Sequence, residues 1–134
     1  MMGRLMGIDY GTKRVGIALS DPTHLIASPL MVCDRETAID VIAGAVRAHD
    51  VESIVIGMPT SLSGEDGPSA AAARAFASEV ANTTGLTVEV EDERFTSVLA
   101  ERSMIESGTK RSDRRKSLDG VAAALILQSY LDRQ

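Results

Sequence analysis

Only Gly11 to Arg14 separate two strand-like stretches near the start of the chain, the apolar run Leu5-Met6-Gly7-Ile8 continued by Asp9-Tyr10, and Val15-Gly16-Ile17-Ala18-Leu19-Ser20. So short a link between two strands implies an antiparallel hairpin, with Gly11 allowing the tight turn. Successive side chains of a strand point to opposite faces, so Asp9 shares a face with Gly7 and Leu5, while Met6, Ile8 and Tyr10 take the other. A carboxylate on so apolar a strand is costly to bury unless it is paired with a cation or hydrogen-bonded. Gly7 leaves open space beside it. The plain structural reading is a strand-end Asp that hydrogen-bonds its own turn; the functional reading gains weight from two further carboxylates in similarly awkward places.

The rest of the chain adds layers to this hairpin. Leu25 to Cys33 reads as a third strand, and Pro29, which has no N–H to donate, assigns it to a sheet edge or a bulge. Asp34 is expected to cap a helix with Glu36 in its first turn and Ile39, Ile42 and Val46 on its core face. Ser53 to Met58 is a continuous apolar run that fits a buried parallel strand. A loop from Pro59 to Gly67 follows, and Pro68 suits the first turn of a helix that Gly85 ends. Leu86, Val88 and Val90 alternate with polar residues as a fifth strand. Thr96 or Ser97 can cap a helix running to about Ser107. Thr109 to Lys116 reads as a polar, basic loop, and Ser117 caps a last helix with Asp119 in its first turn, running to about Leu131. Strands joined by short turns pair antiparallel, and strands separated by helices pair in parallel through right-handed crossovers. The expected fold is α/β: a mixed five-stranded sheet, three antiparallel strands plus two parallel, with helices on both faces, as one domain over residues 1–134.

Composition narrows the function. With two Phe, two Tyr and no Trp, the core must be aliphatic, and base stacking is a weak candidate for the main mode of nucleic-acid binding. Cys33 is the only cysteine, which excludes an internal disulfide, and with only His24 and His49 there is no Cys/His zinc site. Cys33 reads as a small buried hydrophobe. The longest apolar run, Val121 to Leu127, is too short to span a bilayer, and the N-terminus lacks a signal-peptide pattern, so a cytoplasmic protein with no membrane partner is expected.

Asp9, Glu93 and Asp119 are the candidate acids. Glu93 follows a strand of the parallel part, and open sheets place their sites at the carboxyl ends of strands. Asp119 shares a helical stripe with Ala122, Ala123, Ile126 and Tyr130, which should face the sheet and the strand that carries Asp9. Converging carboxylates repel one another unless cations neutralise them, and an all-oxygen site favours Mg²⁺ or Mn²⁺. Two such ions can hold the attacking water and the leaving oxygen of a phosphodiester. Just before Asp119 come Lys110, Arg111, Arg114, Arg115 and Lys116, opposed only by Asp113. The net charge of −5 argues against a polyanionic partner, but a local basic cluster beside a metal site favours phosphate-backbone binding.

Gly7-Ile8-Asp9-Tyr10-Gly11-Thr12-Lys13, Val55-Ile56-Gly57-Met58-Pro59 with Gly64 behind it, Asp92-Glu93-Arg94-Phe95-Thr96-Ser97, and Asp119 with Ala122-Ala123 together resemble the YqgF (RuvX) family, in order and over nearly the whole chain. The resemblance implies a ribonuclease-H-like fold related to Holliday-junction resolvases. It also implies a metal-dependent nuclease that matures the 5′ end of the small-subunit (16S) ribosomal RNA precursor. Asp9, Glu93 and Asp119 are then both catalytic residues and metal ligands, and Lys13, Arg94 and Thr96 join the basic run as nucleic-acid contacts. The expected partner is precursor rRNA or another single strand, with DNA junctions as the alternative substrate, no nucleotide cofactor, and a monomer or weak homodimer as the assembly. The chain departs from the family at Thr60-Ser61, where Leu-Asn is common. A half of an actin-like or sugar-kinase ATPase shares the Gly-Ile-Asp-x-Gly-Thr hairpin, but it needs a second domain and a second phosphate loop. A non-catalytic binding module would have little reason to keep all three acids.

Overall fold

The computed structural model describes residues 3–11, 13–58, 68–92 and 111–133, with backbone alone at 58, 68–70, 92 and 111–119. Strands β1 (Arg4–Tyr10), β2 (Arg14–Ser20), β3 (Ala27–Asp34), β4 (Val51–Met58) and β5 (Thr87–Asp92) form one sheet in the order β3-β2-β1-β4-β5. β1 pairs antiparallel with β2 and parallel with β4; β3 extends the antiparallel side and β5 the parallel side. This is the mixed sheet the sequence implies. The hairpin closes where the Gly11 amide donates to the Arg14 carbonyl at 3.0 Å.

The two faces of β1 sort the core. Met6 and Ile8 are fully buried in an aliphatic layer with Ile17, Ile42, Ile54 and Ile56, covered by helices α1 (Ala38–His49) and α2 (Pro68–Thr84). Leu5 faces the other way, into a layer with Val55, Ala123, Ile126, Leu127 and Leu131, covered by helix α3 (Arg111–Asp132). Helices therefore cover both faces. Pro29 lies on the edge strand β3 beside a register shift, since Ile17 pairs with Met31 and Ala18 with Pro29, so Leu30 is the extra residue of a bulge. Gly85 ends α2 in the left-handed region (φ 72°), its amide donating to the Ala81 carbonyl at 2.9 Å.

Four expectations need correction. Leu25 and Ile26 precede β3 rather than belong to it, because Asp21 gathers their amides into a turn, with its carboxylate accepting from both at 2.8 Å. Asp34 does not cap α1: it is the last residue of β3, a 3₁₀ turn over Arg35–Thr37 intervenes, and no side chain caps either start. Val90, on the apolar side of the expected fifth strand, is exposed on β5, which is an edge strand among the described residues. The stretch Arg111–Lys116 is helical, and Asp119 lies well inside α3 rather than in its first turn. Arg and Lys are good helix formers, and nothing between 111 and 119 is Gly or Pro, so the polar run continues the helix instead of breaking it. The Pro59–Gly67 loop, the Thr60-Ser61 departure and the helix expected from Thr96 to Ser107 lie outside the described residues.

Candidate active site

Asp9 is 2 % exposed, at the carboxyl end of the central strand. Its place in the register explains how a carboxylate fits there. Across β2 it pairs with Gly16, and across β4 with Gly57, so neither lateral neighbour has a side chain. The open space expected beside Gly7, two residues earlier on the same face, is not there: α3 fills it, so only the lateral Gly16 and Gly57 positions leave Asp9 without a side-chain neighbour. Asp9 on its strand was legible in the sequence; the Gly16 and Gly57 flanks were not, because they depend on register. The signal was present as glycines interrupting two apolar strands, which mark close approach of another group.

Gly7 also sets the height of α3 above β1. A Cβ built there would lie 2.6 Å from the Leu127 Cβ and 2.8 Å from the Ala123 carbonyl oxygen, so the helix rests directly on the strand. Further along, a Cβ on Gly120 would lie 3.5 Å from the Pro29 Cβ, which places that turn over β3 in ordinary contact. At the far end the Gln128 side chain accepts from the Ala27 amide at 2.9 Å and donates to the Leu25 carbonyl at 3.0 Å. These rungs orient α3 antiparallel to β1 and β3. Its backbone at Asp119, one turn before Ala123, is therefore displaced about 6 Å towards the Asp9 end of β1. Gly7 to Asp9 is a similar step along a strand. Positions 111, 114, 115 and 116 continue in the same direction.

Lys13 is exposed in the β1–β2 turn, at the same end of the sheet. Glu93, Arg94, Thr96 and Lys110 lie outside the described residues, and among the described residues no cluster of three metal-ligating side chains occurs. Cys33 is half-buried against the apolar layer under α1, and burial, with Asp34 adding to it, pushes its thiol pKa up. His24 lies at the opposite end of the sheet, where its Nε2 bonds the Gly3 carbonyl at 2.6 Å. Among the described residues the Cys33 thiol is thus on the opposite face of the sheet from Asp9 and the His24 imidazole at its opposite end.

Arg35 was not legible in the sequence. Its guanidinium carbon lies 4.1 Å from the centroid of the Tyr10 ring, which stacks on Phe76 at 4.4 Å. Its amide donates to the Lys13 carbonyl at 3.2 Å, tying the start of the 3₁₀ turn to the hairpin.

Among the described residues no helix is long and apolar enough to cross a membrane. The chain is similar to proteins provisionally named pre-16S rRNA nuclease. The one from Moorella thermoacetica is 45% identical over 97% of this chain and 95% of its own length. The one from Roseiflexus is 41% identical over 98% and 96%. Among solved structures, Thermus thermophilus RuvC in complex with a Holliday junction substrate superposes with a TM-score of 0.61 at 16% identity, covering 98% of this chain and 96% of that one. That likeness carries the fold, which is ribonuclease-H-like. The profile of the RuvX family, described as Holliday junction resolvase, matches residues 3–133, and the chain belongs to that family.

Proposed function

We propose that this protein is a metal-dependent nuclease that hydrolyses phosphodiester bonds, with Asp9, Glu93 and Asp119 as its catalytic acids and the maturing 5′ end of the 16S rRNA precursor as its substrate. The carrying observation is the buried Asp9 carboxylate at the carboxyl end of β1, flanked by Gly16 and Gly57 and approached by the α3 backbone at Gly7. The oxygen-only donors at this end suit a hard divalent cation, Mg²⁺ or Mn²⁺, held by Asp9, Glu93 and Asp119. When bound, two such ions activate water and stabilise the leaving oxygen. The chain's own part is to fix Asp9 on a rigid strand and to gather cations around it. Lys13 comes from the hairpin, Arg111, Arg114, Arg115 and Lys116 from α3, and Lys110 and Arg94 from stretches that adjoin α3 and β5 in sequence, with the neutral Thr96 as a further nucleic-acid contact.

The names of the relatives favour precursor rRNA. The family description and the likeness to RuvC favour a second reading, resolution of four-way DNA junctions. The test of the nuclease reading is cleavage of labelled RNA and DNA structures by purified protein with Mg²⁺ or Mn²⁺. Asp9→Asn, Glu93→Gln and Asp119→Asn should each lower cleavage at least about 100-fold, the scale on which catalytic groups contribute, while nucleic-acid binding persists. Full cleavage by any of these variants, or by the natural protein in EDTA, excludes the site.

A further inference from the structure

We propose that the cavity lined by Lys13, Asp34, Arg35 and Glu36 is a base-binding subsite that takes one unpaired guanine of the substrate strand. It opens at the same end of the sheet as Asp9, on the other side of the β1–β2 turn, and has a volume of about 450 Å³, within the range of small-ligand pockets. Among the described residues its lining holds two cations and two carboxylates. A phosphate is a poor occupant, since Asp34 and Glu36 oppose it as Lys13 and Arg35 attract it. A neutral group that presents donors and acceptors side by side is a good one.

The walls are built to keep their shape. Arg35 lies over Tyr10 at 4.1 Å, and Tyr10 is stacked on Phe76 at 4.4 Å with 28° between the rings. The chain has two Tyr, two Phe and no Trp, so half of its aromatic rings stand behind this one guanidinium. The bond from the Arg35 amide to the Lys13 carbonyl joins the wall that follows β3 to the wall in the hairpin. A guanidinium plane held in this way is a surface on which an unstacked RNA base can lie. A carboxylate accepts two parallel N–H bonds, and among the four bases only guanine offers two adjacent donors, N1–H and the N2 amino group. Its O6 accepts from Lys or Arg. Adenine and cytosine place one amino group beside a ring acceptor, and uracil offers one ring N–H.

The inference rests on the nuclease reading for the identity of its ligand as part of a nucleic-acid strand, but its test needs no cleavage. Uridine oligomers carrying one guanine, inosine, adenine or abasic residue are titrated into the Asp9→Asn protein in EDTA, with binding followed by fluorescence anisotropy. The guanine oligomer should bind about tenfold more tightly than the adenine or abasic one, the low end of what a bidentate contact contributes, with inosine, which lacks the N2 amino group, between them. Glu36→Gln, an isosteric change at an exposed position, and Arg35→Ala should bring the guanine-to-adenine ratio towards one. Equal binding of guanine and adenine overturns the subsite, as does a ratio that both variants leave at its original value. If the natural protein still cleaves RNA in that case, the nuclease reading survives without the subsite. A guanine preference in a chain that cleaves nothing separates the two the other way.

Discussion

Two glycines with no side chain to lose respond in opposite ways to the same methyl group. At Gly7 an added Cβ meets the Ala123 carbonyl oxygen at 2.8 Å and the Leu127 Cβ at 2.6 Å; the first is backbone and cannot rotate away. Gly7→Ala must therefore lift α3, at about 1–3 kcal/mol of overpacking. The shift moves the helix that carries Asp119 relative to the strand that carries Asp9, so cleavage should fall even at a temperature where the variant is fully folded. At Gly44, in the interior of α1, nothing lies within 4 Å of the added Cβ. Gly44→Ala should stabilise by about 0.5–1 kcal/mol through the lower chain entropy of the unfolded state, with no change in cleavage. Thermal melts and rates measured on both variants check the pair. A Gly7→Ala protein with native stability and rate contradicts the tight seat of α3.

The elements divide into a frame that the sequence makes legible and a set of joints that it does not. β1, β2, β4 and the sheet-facing stripe of α3 follow from side-chain period alone, because burying them is what forms them. Arg111–Lys116 is harder to read, since charged residues suit a helix and a loop equally and only the continuation of α3 decides. Arg35 is harder still: its meaning lies in Tyr10 and Phe76, contacts that no local pattern records. Arg114, Arg115 and Lys116 share one turn of α3, and their charges add to the attraction for any phosphate backbone that passes it. Replacing all three with Gln should weaken binding to every sequence alike and flatten the dependence of log affinity on log salt. An unchanged slope removes α3 from the nucleic-acid path. The turn before β3 is a joint of another kind. The Asp21 carboxylate accepts from the Thr23, Leu25 and Ile26 amides and from the Thr23 hydroxyl, and these bonds hold its pKa well below the usual carboxylate range. A depressed folded pKa adds stability above the unfolded carboxylate's titration and loses it as pH falls through the folded value. Protection of the Leu25 and Ile26 amides from hydrogen exchange should thus hold through mildly acid pH and fail only in strong acid. In Asp21→Ala it should be lost at every pH.

At the scale of the whole molecule the two ends of the sheet do different work. One end is closed by local bonds: His24 reaches the Gly3 carbonyl and lies 3.3 Å from Glu52, and the Ser20 hydroxyl accepts from the Leu5 amide at 2.9 Å. The other end holds Asp9, the Lys13–Arg35 cavity and the helix bearing the basic run. In a chain of net charge −5, the described side chains of Lys13 and Arg35 lie at the end where a carboxylate is buried, and the α3 backbone carries the positions of the basic run towards it. On the proposed reading one chain supplies one site, which cuts one strand. Paired incision of a four-way junction needs two sites related by a two-fold axis, and so two copies of the chain. The two candidate substrates therefore differ in kinetic order. Cleavage of a single-stranded RNA should rise linearly with protein concentration. Paired junction cuts should rise as its square wherever dimers are scarce, and should be the slower reaction at nanomolar protein. The comparison uses a mobile junction and a single strand of matched length, at equal concentration with Mn²⁺, over a dilution series of the protein. Symmetric junction nicks that exceed RNA cleavage and stay linear on dilution would assign the site to junction resolution by a dimer that persists throughout.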